Sequence, residues 1–447
     1  MPTTRRLLTL CLACAFTAPA LPQTLARPGW VGSGINTDVW WKHPVLYQVN
    51  PANFNSGLQS IAQRLDYIQT LGVDGLLLTA IQSDATHAQS IDPAYGTLDD
   101  LDELIHEASR HNIRVLLDLD PHIPASDLTN VARFWLNRGI AGFHVIGSTP
   151  EAHAQAAALR KAAGSYLGQR VLIGDVDPSL PASPQQRTYK APDTQNTQLL
   201  LDSSLGSVAP LNPAAVRSAV ESTENIALAG HAIPLIASDG PSFQRSMSRY
   251  ADGKHNIDIA KLLATILFTT RAQPLLYYGQ ELGVAAPQSS DSTPTTPVII
   301  WDAPPLPLKG KPAPPPEPEA PNAPPNAALE EANPDSLLNW YRRLIDLHHS
   351  NTTINSGEYL TVNRDDQNVL IIIRKPKVVS PTNPILVILC NLSGESQHLS
   401  IKADTMKLHL RGSFLRTVMR SDNGMGTMHL ESMTLGPYAA YIGEMRF

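Results

Sequence analysis

The sequence predicts an α/β protein, a (β/α)8 TIM barrel with an antiparallel β-sandwich domain at its C-terminal end. Between Val45 and about Gly283, short apolar runs alternate with helical patterns, as in parallel sheets whose strands are joined by helices. From about Gly357 onward the apolar positions follow a period of two, which is typical of antiparallel strands. The 447 residues suffice for one large barrel and one smaller domain.

Residues 1–26 are predicted to be an export signal. Arg5 and Arg6 precede a short apolar run over residues 7–18, and Thr24-Leu25-Ala26 provides a small-residue cleavage site, with Ala20 as an alternative. The run is too short to span a bilayer. We therefore expect a secreted or periplasmic protein without a membrane span; a lipoprotein signal ending at Cys14 is the alternative.

Composition argues against two classes of partner, and cysteine content excludes two kinds of structural site. The net charge is −6 and no block of Lys and Arg stands out, which argues against nucleic acid and anionic membranes as partners. After signal removal only Cys390 remains, so an internal disulfide and a cysteine zinc site are excluded. Because Cys390 directly follows the apolar run 385–389, we expect a buried thiol.

Residues 27–350 are expected to form the barrel. Eight apolar runs separated by helical patterns provide its strands, and the helix predicted at 101–110 carries its apolar residues on one face. The predicted strands are residues 45–49, 75–78, 115–119, 142–145, 171–173, 198–201, 234–236 and 274–277.

The remainder of the chain divides into a loop, a helix and a β-domain. Residues 286–326 are rich in proline, which predicts a long, exposed, extended loop within the barrel; a ligand for a proline-recognition domain is the alternative. A helical pattern returns at 335–348, and residues 351–447 are expected to form the sandwich. The strands predicted in it are residues 369–374, 385–390, 398–401, 408–410 and 438–442.

Several segments, in the same order along the chain, resemble the α-amylase superfamily (glycoside hydrolase family 13). The resemblance implies a barrel that acts on α-glycosidic bonds, with catalytic groups at the carboxyl ends of its strands. The segments are Trp41-Lys42-His43-Pro44-Val45-Leu46-Tyr47-Gln48-Val49, residues 65–74, Asp92-Pro93-Ala94-Tyr95-Gly96-Thr97, residues 132–139, Pro274-Leu275-Leu276-Tyr277-Tyr278-Gly279-Gln280-Glu281-Leu282-Gly283 and residues 334–344.

The fourth predicted strand departs from the family pattern at the decisive position. Where the family reads Gly-Phe-Arg-x-Asp, this chain reads Gly142-Phe143-His144-Val145-Ile146. Retaining enzymes need a nucleophilic carboxylate about 5–5.5 Å from an acid/base carboxyl, and Ile146 has no lone pair with which to attack. The family's arginine is lost together with this aspartate. An arginine without that carboxylate would be a costly buried charge.

The resemblance also assigns roles to other residues. Asp175 occupies the acid/base position, one methylene shorter than the family's Glu, and Asp239 occupies the position of the transition-state-stabilising Asp, preceded by Ser238 instead of His. If the protein is active, these two are its catalytic residues. Asp118, His122 and His144 are expected to bind substrate, with a structural role as the alternative for Asp118 and a satisfied inward-facing histidine as the alternative for His144.

No metal or other cofactor is expected. The family's calcium-binding Asn has no clear counterpart, and the small domain that the family inserts after the third strand is essentially absent. His122 is followed within about ten residues by the helix expected at 131–136. The resemblance therefore implies a shallow cleft and an incomplete calcium site.

Three functions remain open from the sequence. The first is a degenerate family member in the metabolism of α-glucans or α-glucosides, which binds an α-glucan or oligosaccharide at most. The second is a divergent α-glycoside hydrolase that uses Asp175 and Asp239 with water in an inverting geometry. The third is a protein-interaction module that acts through its β-domain or its proline-rich loop.

Overall fold

The computed structural model describes residues 40–79, 81–166, 168–176, 196–229, 232–286, 299–302, 324–422 and 424–446. The predicted signal peptide and most of the proline-rich segment lie outside the described residues. Within the described residues, no helix is both long enough and apolar enough to cross a membrane.

Eight parallel strands close into a barrel, which confirms the predicted fold class. Each strand pairs with the next along the chain, and the first pairs with the eighth. The strands are β1 Leu46–Val49, β2 Gly75–Leu78, β3 Arg114–Leu119, β4 Gly142–Val145, β5 Val171–Asp175, β6 Leu199–Asp202, β7 Ile233–Ile236 and β8 Gln273–Tyr277.

Helices surround the barrel and lead into the second domain. They are α1 Gly57–Ala62, α2 Leu65–Leu71, α3 Leu98–Arg110, α4 Leu128–Asn137, α5 Pro150–Ala163, α6 Pro213–Ala229, α7 Ser246–Arg249, α8 Asn256–Thr269, α9 Ala327–Ala332, α10 Leu337–Ser350 and α11 Thr352–Ser356. Helix α3 begins before the predicted residue 101 because Thr97 and Asp100 form a capping box. The Thr97 hydroxyl accepts from the Asp100 N–H at 3.2 Å, and the Asp100 carboxylate accepts from the Thr97 N–H at 2.7 Å.

The barrel interior is filled by aliphatic side chains from alternate strand positions. Leu46, Leu116, Ile173 and their counterparts on other strands form this cluster, and Trp40 and Trp41 pack against it. Both tryptophans lie in a short 3-10 helix, Trp40–Lys42, just before β1, so they pack at the N-terminal end of the barrel. At the other end, side chains of the same parity face the barrel mouth.

The C-terminal domain is antiparallel, as predicted, with a six-stranded sheet in the order β14-β13-β16-β11-β10-β9 and a two-stranded sheet of β12 and β15. Its elements are β9 Glu358–Val362, β10 Val369–Lys375, β11 Leu386–Asn391, β12 Gln397–Leu399, α12 Lys402–Lys407, β13 Phe414–Arg420, β14 Met428–His429, β15 Met433–Leu435 and β16 Ala440–Arg446.

The prediction of a strand at residues 408–410 is wrong. Helix α12 ends at Lys407, and His409 follows with a φ of 54°, a left-handed conformation that interrupts a strand. Leu410 is nevertheless buried, because the turn packs into the core of the domain. The strands β9, β13, β14 and β15 were not predicted.

A buried ion network joins the barrel to the C-terminal domain. Nη1 of Arg374, in β10, lies 2.6 Å from Oε1 of Glu224, in α6, and its Nη2 donates to the Ile354 carbonyl at 2.6 Å. The backbone N–H of Arg271 donates to the same Glu224 oxygen at 2.9 Å. Arg374 and Glu224 are both buried, so the contact fixes the two domains against each other.

Candidate functional site

The carboxyl ends of three adjacent strands bring Asp118, His144 and Asp175 together. Asp118 lies in β3, His144 is its register partner in β4, and Asp175 ends β5. Because side chains alternate along a strand, each of the three has the parity of the interior cluster below it. The family alignment placed all three at strand ends, and the barrel closes them into one group.

The imidazole of His144 bridges the two carboxylates. Its Nδ1 lies 2.8 Å from Asp118 Oδ1, and its Nε2 lies 2.9 Å from Asp175 Oδ1. Ionised carboxylates only accept, so a protonated ring, which donates from both nitrogens, satisfies the two oxygens together. Burial lowers the pKa of His144, but the charges of Asp175 and Asp118 outweigh it and raise that pKa to about 10. The group is a buried cation held between two anions.

Asp175 is held as a carboxylate by its surroundings. Burial raises its pKa, but the charge and hydrogen bond of His144 and the N–H of Gly147 outweigh burial and leave the pKa below its usual range. The Gly147 N–H donates to Asp175 Oδ2 at 2.7 Å, so both carboxylate oxygens are occupied. A general acid must carry a proton, and a lowered pKa opposes that role.

Asp118 lies on the inner side of the same group. Burial raises its pKa more than His144 lowers it. It is more deeply buried than Asp175, whose side chain is 24% exposed. Asp175 is therefore the member of the group that reaches solvent.

Ile146 follows β4 directly, at the position that the family gives to its nucleophile. Its side chain is 39% exposed. The next residue, Gly147, has a φ of 92°, which favours glycine and turns the chain so that its N–H meets Asp175. Family alignment did not identify Gly147 as part of this group; a glycine just after a strand end was the only signal.

Asp239 makes its hydrogen bonds to Ser246, the first residue of helix α7. It is buried, and its Oδ2 accepts from the Ser246 hydroxyl at 2.8 Å while its Oδ1 accepts from the Ser246 N–H. Burial raises the pKa of Asp239. Ser238, where the family has His, accepts from Nε2 of Gln280 at 2.7 Å. Both residues therefore serve contacts within the protein.

His122 also bonds outside this group. Its side chain is 85% exposed, and its Nδ1 lies 2.9 Å from Oδ1 of Asp120 in the turn after β3. Of the predicted site residues, Asp118, His144 and Asp175 are thus joined by hydrogen bonds, whereas His122 and Asp239 bond to other residues. Substrate binding and catalysis by any of them stay predictions. Among the described residues, no three His, Cys, Asp or Glu side chains are arranged to hold a metal ion.

Comparisons with known proteins identify related sequences. Residues 43–123 match the family model described as Alpha amylase, catalytic domain. The chain is 25% identical to the amino acid transporter heavy chain SLC3A2 of Oryctolagus cuniculus over 72% of this chain and 61% of that protein. It is 40% identical to trehalose-6-phosphate hydrolase of Escherichia coli K12 over 18% of this chain and 17% of that protein. Together these matches support a member of the α-amylase superfamily.

Two solved enzyme structures have a fold similar to that of this chain. The trehalose-6-phosphate hydrolase of Bacillus licheniformis superposes with a TM-score of 0.72 at 17% identity, over 92% of this chain and 100% of that chain. The isomaltulose synthase of Klebsiella sp. LX3 superposes with a TM-score of 0.71 at 17% identity, over the same shares. At this identity the likeness shows the fold. In sequence, the chain spans 61% of the rabbit heavy chain and 17% of the E. coli hydrolase.

Proposed function

We propose that this α-amylase superfamily member is a catalytically degenerate barrel, which is exported and acts by binding without hydrolysing glycosides. The observation that carries the proposal is the group formed by Asp118, His144 and Asp175. In this group, His144 is hydrogen-bonded to Asp175, the carboxylate at the acid/base position. The position of the nucleophile is held by Ile146.

A retaining mechanism has no nucleophile at this site. Ile146 cannot form a glycosyl–enzyme bond, and the nearest carboxylate, Asp175, is committed to His144 and Gly147. His144 instead pairs with both Asp118 and Asp175, which supports an adaptation to the loss of catalysis.

The inverting alternative, with Asp175 and Asp239, is also poorly supported. An inverting enzyme needs one carboxyl to donate a proton and a second carboxylate to activate water. Asp175 is held ionised, which opposes the role of proton donor, and its two oxygens already accept from His144 and Gly147, which opposes the role of base. Both oxygens of Asp239 accept from Ser246 in a buried position. Neither group is therefore available for its step.

The proposed ligand is an α-glucan or oligosaccharide, bound at the mouth of the barrel. Asp175 is partly exposed and can accept from a sugar hydroxyl through the lone pairs that His144 and Gly147 leave. The exposed Ile146 beside it offers an apolar surface for the faces of the sugar ring. Both features support weak binding at this mouth.

Hydrolysis assays on the purified chain test the proposal. We expect no release of 4-nitrophenol from its α-glucoside and no shortening of maltooligosaccharides. An Asp175→Asn variant, purified identically, controls for contaminating glucosidases. Turnover that this variant abolishes would overturn the proposal. Calorimetry with maltotriose tests sugar binding separately: binding that Asp175→Asn weakens supports it, and no binding up to millimolar sugar removes it.

A second candidate function is a scaffold for a protein partner. The similarity over most of this chain to an amino acid transporter heavy chain favours it, because that name describes a subunit and no hydrolase activity. Purification of the tagged chain from cross-linked cell envelopes tests it, with a variant that lacks residues 286–326 to locate the contact. An amino acid transporter recovered with the tagged chain supports this function, and recovery of none rejects it.

A further inference from the structure

A second candidate site lies at the opposite end of the barrel from His144. A cavity of about 590 Å³ opens beside the N-terminal ends of β6, β7 and β8. Cavities of roughly 300–1,000 Å³ hold small organic ligands. In TIM barrels the catalytic groups lie at the other end, so this cavity is separate from the proposed sugar site. Its lining includes Gln198, Ile233 and Gln273, at the starts of these strands.

The charges around this cavity are all of one sign. Lys42, Arg160 and Arg271 line it, and none of the described lining residues is Asp or Glu, although the whole chain carries a net charge of −6. Lys42 and Arg160 are exposed and make no ion pair with the described part of the chain. Their charges are available to an anion that enters the cavity.

Arg271 adds a cation that is only partly neutralised. Its Nε lies 3.6 Å from Oε2 of Glu224, beyond hydrogen-bonding distance, and has no hydrogen-bond partner within the described residues. The same carboxylate binds Arg374 at 2.6 Å. One carboxylate therefore faces two guanidinium groups, and a positive charge remains at the inner wall of the cavity.

A neighbouring cavity of about 520 Å³ extends the same charge pattern. Arg114 and Arg170 line it, Trp40 forms part of its wall, and the part of its lining that the structure describes holds no carboxylate. Burial and the charge of Arg114 lower the pKa of Arg170, as expected for cations crowded without a counterion. The N-terminal end of the barrel is thus positive on both sides of the Trp40–Lys42 turn.

The first cavity also has an apolar wall. Trp41, Ala227, Ala232, Ile233 and Pro234 contribute it. A simple inorganic ion would leave this wall in contact with water. We propose that this cavity binds a small organic anion, in which a phosphate or carboxylate group contacts Lys42, Arg160 and Arg271 and an apolar body packs on Trp41 and Ile233.

Titration calorimetry on the full chain at low salt tests this proposal with four probes. Phenyl phosphate and benzoate carry both parts of the expected ligand and separate a phosphate from a carboxylate preference. Inorganic phosphate lacks the apolar body, and benzyl alcohol lacks the charge. We expect the better of the two aromatic anions to bind at least about tenfold more tightly than either control, and more weakly in high salt.

A double substitution of the exposed cations locates the binding. Lys42→Gln with Arg160→Gln should weaken the better anion about tenfold or more and leave folding intact, because both side chains are exposed. Arg411→Gln, which removes an exposed cation from the C-terminal domain, is the matched control and should change nothing. Undiminished binding in the double variant, no binding of either aromatic anion, or equal binding of inorganic phosphate or benzyl alcohol would each overturn the proposal.

Discussion

The Nε2 of His144 lies 2.9 Å from Oδ1 of Asp175, so the residue at the family's arginine position binds the residue at the acid/base position. Asp118 binds the opposite ring nitrogen at 2.8 Å. Both carboxylates are thus paired with the same imidazole inside the protein. The stability of the barrel mouth should consequently depend on the protonation of His144.

Replacing His144 should destabilise the protein in a pH-dependent way. His144→Gln leaves two carboxylates near each other without their cation, which costs about 3–5 kcal/mol. The folded pKa of His144, about 10, exceeds its ordinary value of 6.5. Its contribution is therefore complete below about pH 6.5 and is lost as the pH rises towards 10. Urea unfolding at pH 6, 8 and 10 should show the gap between parent and variant narrowing.

His122→Gln is the matched control for that series. His122 is exposed and bonded only to its neighbour in the turn, so its loss should cost less than about 0.5 kcal/mol. A gap for His144→Gln that stays constant from pH 6 to 10 would contradict the bridging assignment.

Asp239→Ala should test whether this carboxylate is structural. It removes the acceptor of both the N–H and the hydroxyl of Ser246, and each buried donor left without a partner costs about 1–3 kcal/mol. Ser246→Ala removes the hydroxyl alone and should cost about 1 kcal/mol. Thermal unfolding of both single variants and the double variant measures the coupling. If Asp239→Ala were as stable as the parent, Asp239 would regain its candidacy as a catalytic group.

The barrel strands were predictable because strands of a parallel barrel are buried on both faces and appear as continuous apolar runs. All eight predicted runs coincide with strands, and the differences are confined to their ends; β5, for example, continues to Asp175. The missed strand β13 alternates with charged residues, and its Arg416 pairs with Glu444 across the sheet. Cross-strand pairing of this kind is not visible in the sequence.

The candidate site was predictable only in part, for a related reason. Alignment with the family could place Asp118, His144 and Asp175 at strand ends, but the bridging depends on the register of three neighbouring strands. His122 was grouped with them because it follows the same strand as Asp118. The turn after β3 instead bonds it to Asp120, a contact set by local backbone geometry.

The folded protein should be more stable when Glu281 is neutral than when it is ionised. Its Oε1 accepts from the hydroxyls of Tyr47 and Tyr67 at 2.9 and 2.7 Å, and burial raises its pKa. The stability that its protonated form contributes is present below its ordinary pKa of 4.5 and is lost as the pH rises through the folded value. Glu281→Gln is neutral at every pH. The melting temperature of the variant minus that of the parent should therefore increase from pH 5 to 8.

Two further variants interpret that comparison. Glu431→Gln, at an exposed position, should follow the parent at every pH. Tyr67→Phe removes one of the two donors and should lower stability by about 1 kcal/mol. A Glu281→Gln variant that loses ground to the parent as the pH rises would mean that Glu281 is ionised in the folded protein.

The contact between Arg374 and Glu224 should dominate the attachment of the C-terminal domain. Glu224→Gln leaves the buried guanidinium without its carboxylate and should lower the free energy of unfolding by about 3–5 kcal/mol. The matched control crosses the same interface one turn earlier in α6, where Glu221 pairs with the exposed Arg364 at 2.8 Å. Glu221→Gln should cost less than about 1 kcal/mol, because exposed pairs are screened by solvent.

Urea unfolding followed by tryptophan fluorescence distinguishes a lost contact from a lost fold in these variants. All six tryptophans precede residue 350, so fluorescence reports the barrel, and a hydrogen-exchange measurement on β10 reports the C-terminal sheet. We expect Glu224→Gln to open β10 before the barrel unfolds, since the network is the buried polar link between Arg374 and α6. Equal losses for Glu221→Gln and Glu224→Gln would show that burial does not strengthen this pair, and that apolar packing alone holds the two domains together.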